Sequence, residues 1–152
     1  MRFIEEKALR DAFWKKYGSR DNILAHQFEC NARHGGVDLL TIEKVKKRSG
    51  AGSTIQIVSF EFKLDDIEKA IAQAQQDLEF SHKAFIVIPD RKLKVVTDKY
   101  TDELYMRRYI GVITVGLDGR WDISVRCWAK QDKDVRINQE IMRMMTICAR
   151  AI

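Results

Sequence analysis

IQIVSFEFKLDDIEKAIAQAQQDLEF, residues 55–80, reads as a strand, a turn and a helix in one run. Val58, Phe60 and Phe62 alternate with Ile55, Ile57, Ser59, Glu61 and Lys63, so the two sets line opposite faces of an extended segment. It is apolar on both faces until its end, which is the pattern of a central strand. Ile67, Ala70, Ile71, Ala74 and Leu78 then recur at helical spacing as the stripe that packs on the sheet. Asp65 and Asp66 are expected to cap that helix and to complement its dipole. Glu61 and Lys63 need another explanation, because burying either group unpaired costs several kcal/mol.

Outward from this run, the pattern is helix, three strands, helix, strand, helix, two strands and helix. FIEEKALRDAFWKKYG is helical and ends at Gly18, where a left-handed residue can close a helix. ILAHQFECN and VDLLTIE are β-rich and are joined by ARHGG, a hairpin-type connection carrying Gly35 and Gly36. KAFIVIP is a short buried strand stopped by Pro89, TDELYMRRY is a helix, and IGVITV turns through LDGR into WDISVRCW. The tail INQEIMRMMTICAR sets Ile137, Ile141, Met144, Met145 and Cys148 on one helical stripe.

The 152 residues, 45% hydrophobic and 32% charged, suit a single domain over 1–152 and not two. No apolar run reaches the length of a membrane span, and MRFIEEKALR mixes charges where a signal peptide needs an unbroken apolar region, so a cytoplasmic protein is expected. Cys30, Cys127 and Cys148 are odd in number and lack metal or disulfide spacing, which leaves them as buried thiols. His26, His34 and His82 share no metal spacing either, and Trp14, Tyr17, Phe80 and Phe85 are expected in the core. A net charge of +5 favours an anionic partner. KVKKRSGAGST, residues 44–54, concentrates Lys44, Lys46, Lys47 and Arg48 in a hairpin loop that could lie along a phosphate backbone.

The order of elements and the residues at the strand ends resemble the PD-(D/E)XK nuclease superfamily over residues 1 to about 125. The matching positions are Asp38 in GGVDLL, Glu61 and Lys63 in FEFK, Gln73 in AIAQAQQ, and Glu6 or Glu5 in the first helix. Val37 stands where the name-giving Pro would be. The resemblance implies an α/β fold with a restriction-endonuclease-like αβββαβ core, a mixed central sheet flanked by helices, and here an added C-terminal hairpin and helix. It also implies a Mg²⁺- or Mn²⁺-dependent nuclease acting on DNA, alone, as a homodimer or beside an accessory protein.

Such chemistry has use for these residue types. Asp38 and Glu61, with Glu6 completing the outer shell, suit Mg²⁺, a hard ion that accepts one or two carboxylates and keeps several waters. Lys63 would orient the attacking water and stabilise developing negative charge, and Gln73 would position that water or the amine. Two rivals belong to other classes. One is a catalytically silent domain of the same fold that binds nucleic acid or protein; the other is a basic α/β interaction module in which the residue set is coincidental.

Overall fold

The computed structural model describes residues 2–47 and 50–151. They form four α-helices and a six-stranded mixed sheet whose strands lie side by side in chain order. Helix α1 (Glu6–Tyr17) precedes β1 (Ile23–Cys30), β2 (Val37–Lys46) and β3 (Ser53–Phe62), an antiparallel meander. Helix α2 (Ile67–Asp77) carries the chain to β4 (Lys83–Pro89), parallel to β3, and α3 (Leu93–Met106) carries it to β5 (Ile110–Val115), parallel to β4. Parallel neighbours need such crossovers, whereas antiparallel ones can be joined by a tight turn. Strand β6 (Trp121–Val125) folds back on β5, and α4 (Gln139–Ala151) closes the chain.

The alternation read in β3 decides which helix lies on which face. Val58, Phe60 and Phe62 face α1, where Leu9, Phe13 and Tyr17 meet them together with Leu39, Phe85, Val87, Ile113 and Val115. On the other face the α2 stripe packs on Ala84, Ile86, Ile88, Ile110 and Val112, with Val96 and Leu104 from α3. Ile57, Leu40 and Ile42 would remain uncovered there, and α4 lays Ile141, Met144 and Cys148 over them. The sheet is thus sandwiched between helices. Asn138 starts α4: its Oδ1 accepts the Ile141 N–H at 3.0 Å while its Nδ2 donates to the Ala32 carbonyl at 2.9 Å, tying the helix to the β1–β2 turn.

Three local expectations are corrected. Gly18 closes α1 with φ −71°, not in the left-handed region; a Cβ there would collide with the Trp14 indole, so the glycine serves close packing. Helix α3 begins at Leu93 and not near Thr101, because the single turn after Pro89 leads directly into it. The basic hairpin is shorter than expected, since Lys44 pairs with Ile55 and Lys46 with Ser53 inside the β2–β3 ladder. Lys44, Lys46 and Lys47 are exposed there, and Arg48 lies outside the described residues. Trp14 is half-buried and Tyr17, Phe80 and Phe85 are buried, as expected of core aromatics. Cys30 and Cys148 are buried and Cys127 half-buried, all three as thiols. No helix among the described residues is long and apolar enough to cross a membrane.

Phe13 sits at the centre of the α1 face, its ring 4.6 Å from Tyr17, 5.7 Å from both Phe60 and Phe62, and 6.4 Å from Trp121. Phe13→Ala should cost about 3–5 kcal/mol in urea unfolding, from lost transfer energy plus a cavity. Ile4→Ala, at a side chain exposed to solvent, should stay within about 0.5 kcal/mol. Equal losses for the two variants would mean that α1 does not dock as described.

Candidate active site

The β1–β2 turn, the end of β3 and the end of α2 converge on one cluster. Gly35 and Gly36 take φ values of +88° and +84°, and the Gly36 N–H bonds the Arg33 carbonyl at 2.9 Å, so the ARHGG turn needs both glycines to fold back. That turn aims Arg33 inward. Its Nε donates to Asp77 Oδ1 at 2.8 Å, and its Nη2 donates to the Gly36 carbonyl at 2.8 Å and to Glu61 Oε2 at 3.3 Å. Glu61 is 1% exposed and Asp77 0%.

Glu61 Oε1 and Asp77 Oδ2 are buried with no hydrogen-bond partner among the described residues, and the two carboxyl groups share the Arg33 guanidinium. Two buried carboxyl groups on one cation favour a proton on one of them. Burial, then the contact with Asp77 and the nearby charge of Asp38, pushes the Glu61 carboxyl up to about 10. Burial also raises Asp77, against the lowering effect of Glu61 and Arg33. One guanidinium, one carboxylate and one carboxylic acid leave the cluster electrically neutral.

Asp38 lies beside this cluster. Leu39 pairs with Phe60, so Asp38 is the next residue along β2 beside Glu61 on β3. Its Oδ2 accepts the Phe62 N–H at 2.8 Å, which fixes the carboxylate across the strand end. It lines an open cleft of about 340 Å³ with Glu6, Lys7, Arg10, Glu29 and Phe62. Glu29 holds a φ of +50°, the left-handed region that a non-glycine residue seldom occupies. Lys63 follows the last residue of β3; its N–H bonds the Val87 carbonyl at 3.0 Å and its Nζ lies 4.0 Å from Glu6 Oε1.

The structure therefore divides the expected set. Asp38 and Glu61 are neighbours, and Glu6 and Lys63 meet each other. Glu61 and Lys63 do not act as one same-face pair, because the strand ends between them and Lys63 joins α1 while Glu61 joins Arg33 and Asp77. Gln73 lies one helical turn before Asp77, half-buried, with its Oε1 buried and unpaired among the described residues. Glu5 is the N-cap residue of α1 but makes no side-chain capping bond. Asp66 caps α2 by accepting the Lys69 N–H at 3.1 Å, as expected, and Asp65 pairs with Lys92 at 2.7 Å.

Arg33, Asp77 and Glu29 escaped the sequence reading. A signal for Asp77 exists: it lies seven residues after Ala70 and three after Ala74, on the apolar stripe itself. No group of three or more His, Cys, Asp or Glu side chains among the described residues is arranged to hold a metal ion by itself. No protein-family model, curated protein or solved structure matches this chain.

The raised Glu61 carboxyl has a consequence for stability. Glu61 is raised in the folded protein, so between its ordinary value of 4.5 and about 10 the folded state binds a proton that the unfolded chain has released. The stability it contributes is complete below pH 4.5 and is lost as pH rises, by about 1.4 kcal/mol per unit for one proton. Glu61→Gln, whose amide can donate to Asp77 and whose oxygen can accept from Arg33, should flatten this fall between pH 5 and 9. Parallel stability–pH curves for the two proteins would show that the pair holds no proton.

Proposed function

We propose that this chain is a metal-dependent nuclease of restriction-endonuclease-like fold, hydrolysing phosphodiester bonds in DNA at the cleft lined by Asp38, beside Glu61. The carrying observation is the placement of Asp38 beside Glu61 at the carboxyl end of a parallel strand, next to an open cleft into which α1 brings Glu6. In open α/β sheets ligands bind at the carboxyl ends of the strands. The order α1, β1, β2, β3, α2, β4 agrees with the αβββαβ core implied by the resemblance in sequence.

The donor set fits a hard divalent ion. Mg²⁺ or Mn²⁺ needs only one or two carboxylates beside waters and substrate oxygens. Asp38 is oriented by the Phe62 N–H, and Glu61 has an oxygen that accepts from no N–H. These two would hold the ion, with Glu6 at its outer shell. When bound, it supplies Lewis-acid stabilisation of the phosphate and acidifies a water.

The chain's own residues do the rest. Lys63, held near Glu6, brings a positive charge to the cleft, where it offsets negative charge on the phosphate oxygens in the transition state. Arg10 and Lys7 line the same cleft and neutralise the flanking backbone. Gln73 and Asp77 share one face of α2, and Asp77 holds the Arg33 guanidinium that in turn reaches Glu61. The new P–O bond forms from the water oxygen, and the bridging P–O bond breaks as its oxygen takes a proton.

A second reading draws on the same cluster. Arg33 pairs with both Asp77 and Glu61, and the raised Glu61 carboxyl, held in its neutral form, completes the compensation without any ion. On that reading the domain binds nucleic acid and cleaves nothing.

Cleavage separates the two. Plasmid and oligonucleotide substrates should be cut with Mg²⁺ or Mn²⁺, but not with Ca²⁺, whose looser geometry leaves the water misaligned. Asp38→Asn and Lys63→Ala should each lower the rate roughly a hundredfold or more with unchanged melting. Cutting that continues in EDTA would remove the metal mechanism, and binding without cutting in any metal would select the second reading.

A further inference from the structure

The opposite end of the sheet carries chemistry that the carboxylate cleft does not use. There, at the amino ends of β3, β4 and β5, a cleft of about 660 Å³ is lined by Tyr105, Arg107, Arg108, Arg126 and Trp128. Trp128 also lines a second cleft with Lys46, Lys47, Lys83 and Lys130, and Arg126 and Lys83 recur in a third beside Phe85 and Trp121. The first and second clefts share Trp128, and the third shares Arg126 with the first and Lys83 with the second. Their linings hold seven cationic side chains and a single carboxylate, Asp122.

Not all seven are available. Arg107 is engaged by Glu103 at 3.3 Å and by Gln75 at 2.9 Å, and Lys130 donates to the Leu78 carbonyl. Arg108, Arg126, Lys46, Lys47 and Lys83 have no carboxylate partner among the ion pairs of the described residues. Between these charges, Tyr105 and Trp128 present large rings to solvent, 84% and 54% exposed. The segment after β6 is irregular yet pinned: the Trp128 N–H bonds the Arg108 carbonyl at 2.8 Å, and the Lys130 N–H bonds the His82 carbonyl at 2.8 Å. Trp128 is thus held beside Arg108.

Cations that follow a backbone, interleaved with aromatic faces on which bases can stack, form the recognition surface of single strands. A duplex hides its bases from such rings, and an acidic peptide would use the cations but leave the rings idle. We propose that the surface around Trp128 is a binding track for single-stranded nucleic acid, with bases stacked on Trp128 and Tyr105 and phosphates on Arg108, Arg126, Lys83 and the hairpin lysines. Gln56 lines the second cleft on β3, the strand whose other end carries Glu61. The track gives the substrate class of the proposed nuclease and rests on that reading for cleavage, not for binding.

The test is fluorescence anisotropy of a labelled oligothymidylate with the whole chain in EDTA, so that no cleavage intervenes. Trp128→Ala should weaken binding roughly 5- to 100-fold, the range for loss of a stacked base. Arg108→Glu with Arg126→Glu should weaken it as well and lower the salt slope by roughly one to two. An abasic oligonucleotide of equal charge should bind the natural chain more weakly than oligothymidylate, with the difference reduced in Trp128→Ala. Equal affinities for the abasic and thymidine strands, unchanged affinity in Trp128→Ala, or equally effective competition by oligoglutamate would each overturn the proposal. Its fate is separable from that of the nuclease. Trp128-dependent binding with no cleavage in Mg²⁺ keeps the track and removes the enzyme, whereas Mg²⁺-dependent cleavage with binding indifferent to Trp128 does the reverse.

Discussion

Three segments distant in sequence meet because two buried carboxyl groups must share one guanidinium. Arg33 comes from the β1–β2 turn, Glu61 from the end of β3 and Asp77 from the end of α2. Each ion would be costly alone in that interior, and a pair stripped of one partner loses about 3–5 kcal/mol. The cluster therefore ties the β1–β2 turn to the end of α2 and to the strand end that carries Glu61. Asp38 takes its place from the same strand end, through the Phe62 N–H.

Charge is segregated along the strands. The carboxyl ends of the parallel strands gather Asp38, Glu61 and Asp77 near the cleft with Glu6 and Glu29, whereas the amino ends gather lysines and arginines around Trp128. A polyanion is drawn more strongly toward the second region than toward the first, where Arg33, Lys7, Arg10 and Lys63 offset the carboxyl groups. Grip and chemistry would then lie at different ends of one sheet. A net charge of +5 conveys none of this, because it averages the two regions.

Much of the fold was legible where one physical rule acted alone. The alternation of Val58, Phe60 and Phe62 with Ile55 and Ile57 gave β3 its two faces, and the stripe from Ile67 to Leu78 gave α2 its packing side. The start of α3 was missed although Leu93, Val96, Tyr100 and Leu104 recur at helical spacing, because the β-branched run Val95, Val96 and Thr97 disfavours a helix locally and packing overrides it. Asp38 and Glu61 could be picked out as carboxylates at strand ends. Their true surroundings could not: Arg33 sits in a turn whose sequence says only that it bends, and the parting of Glu61 from Lys63 depends on where pairing stops, a property of neighbouring strands. Asp77 was visible as an acid on an apolar stripe, but its meaning required the partner 44 residues earlier.

The docking of α1 has a temporal side. Leu9, Phe13 and Tyr17 are synthesised before part of the surface they cover, which includes Ile113 and Val115 of β5 and the ring of Trp121. Until those strands are made, α1 has only part of its floor, and the β1–β3 meander, whose contacts are local, can form beneath it first. The later elements thus seal both faces, β5 and β6 under α1 and α4 over β1 to β3. A nascent chain arrested before them would expose aromatic surface on one side and strand surface on the other.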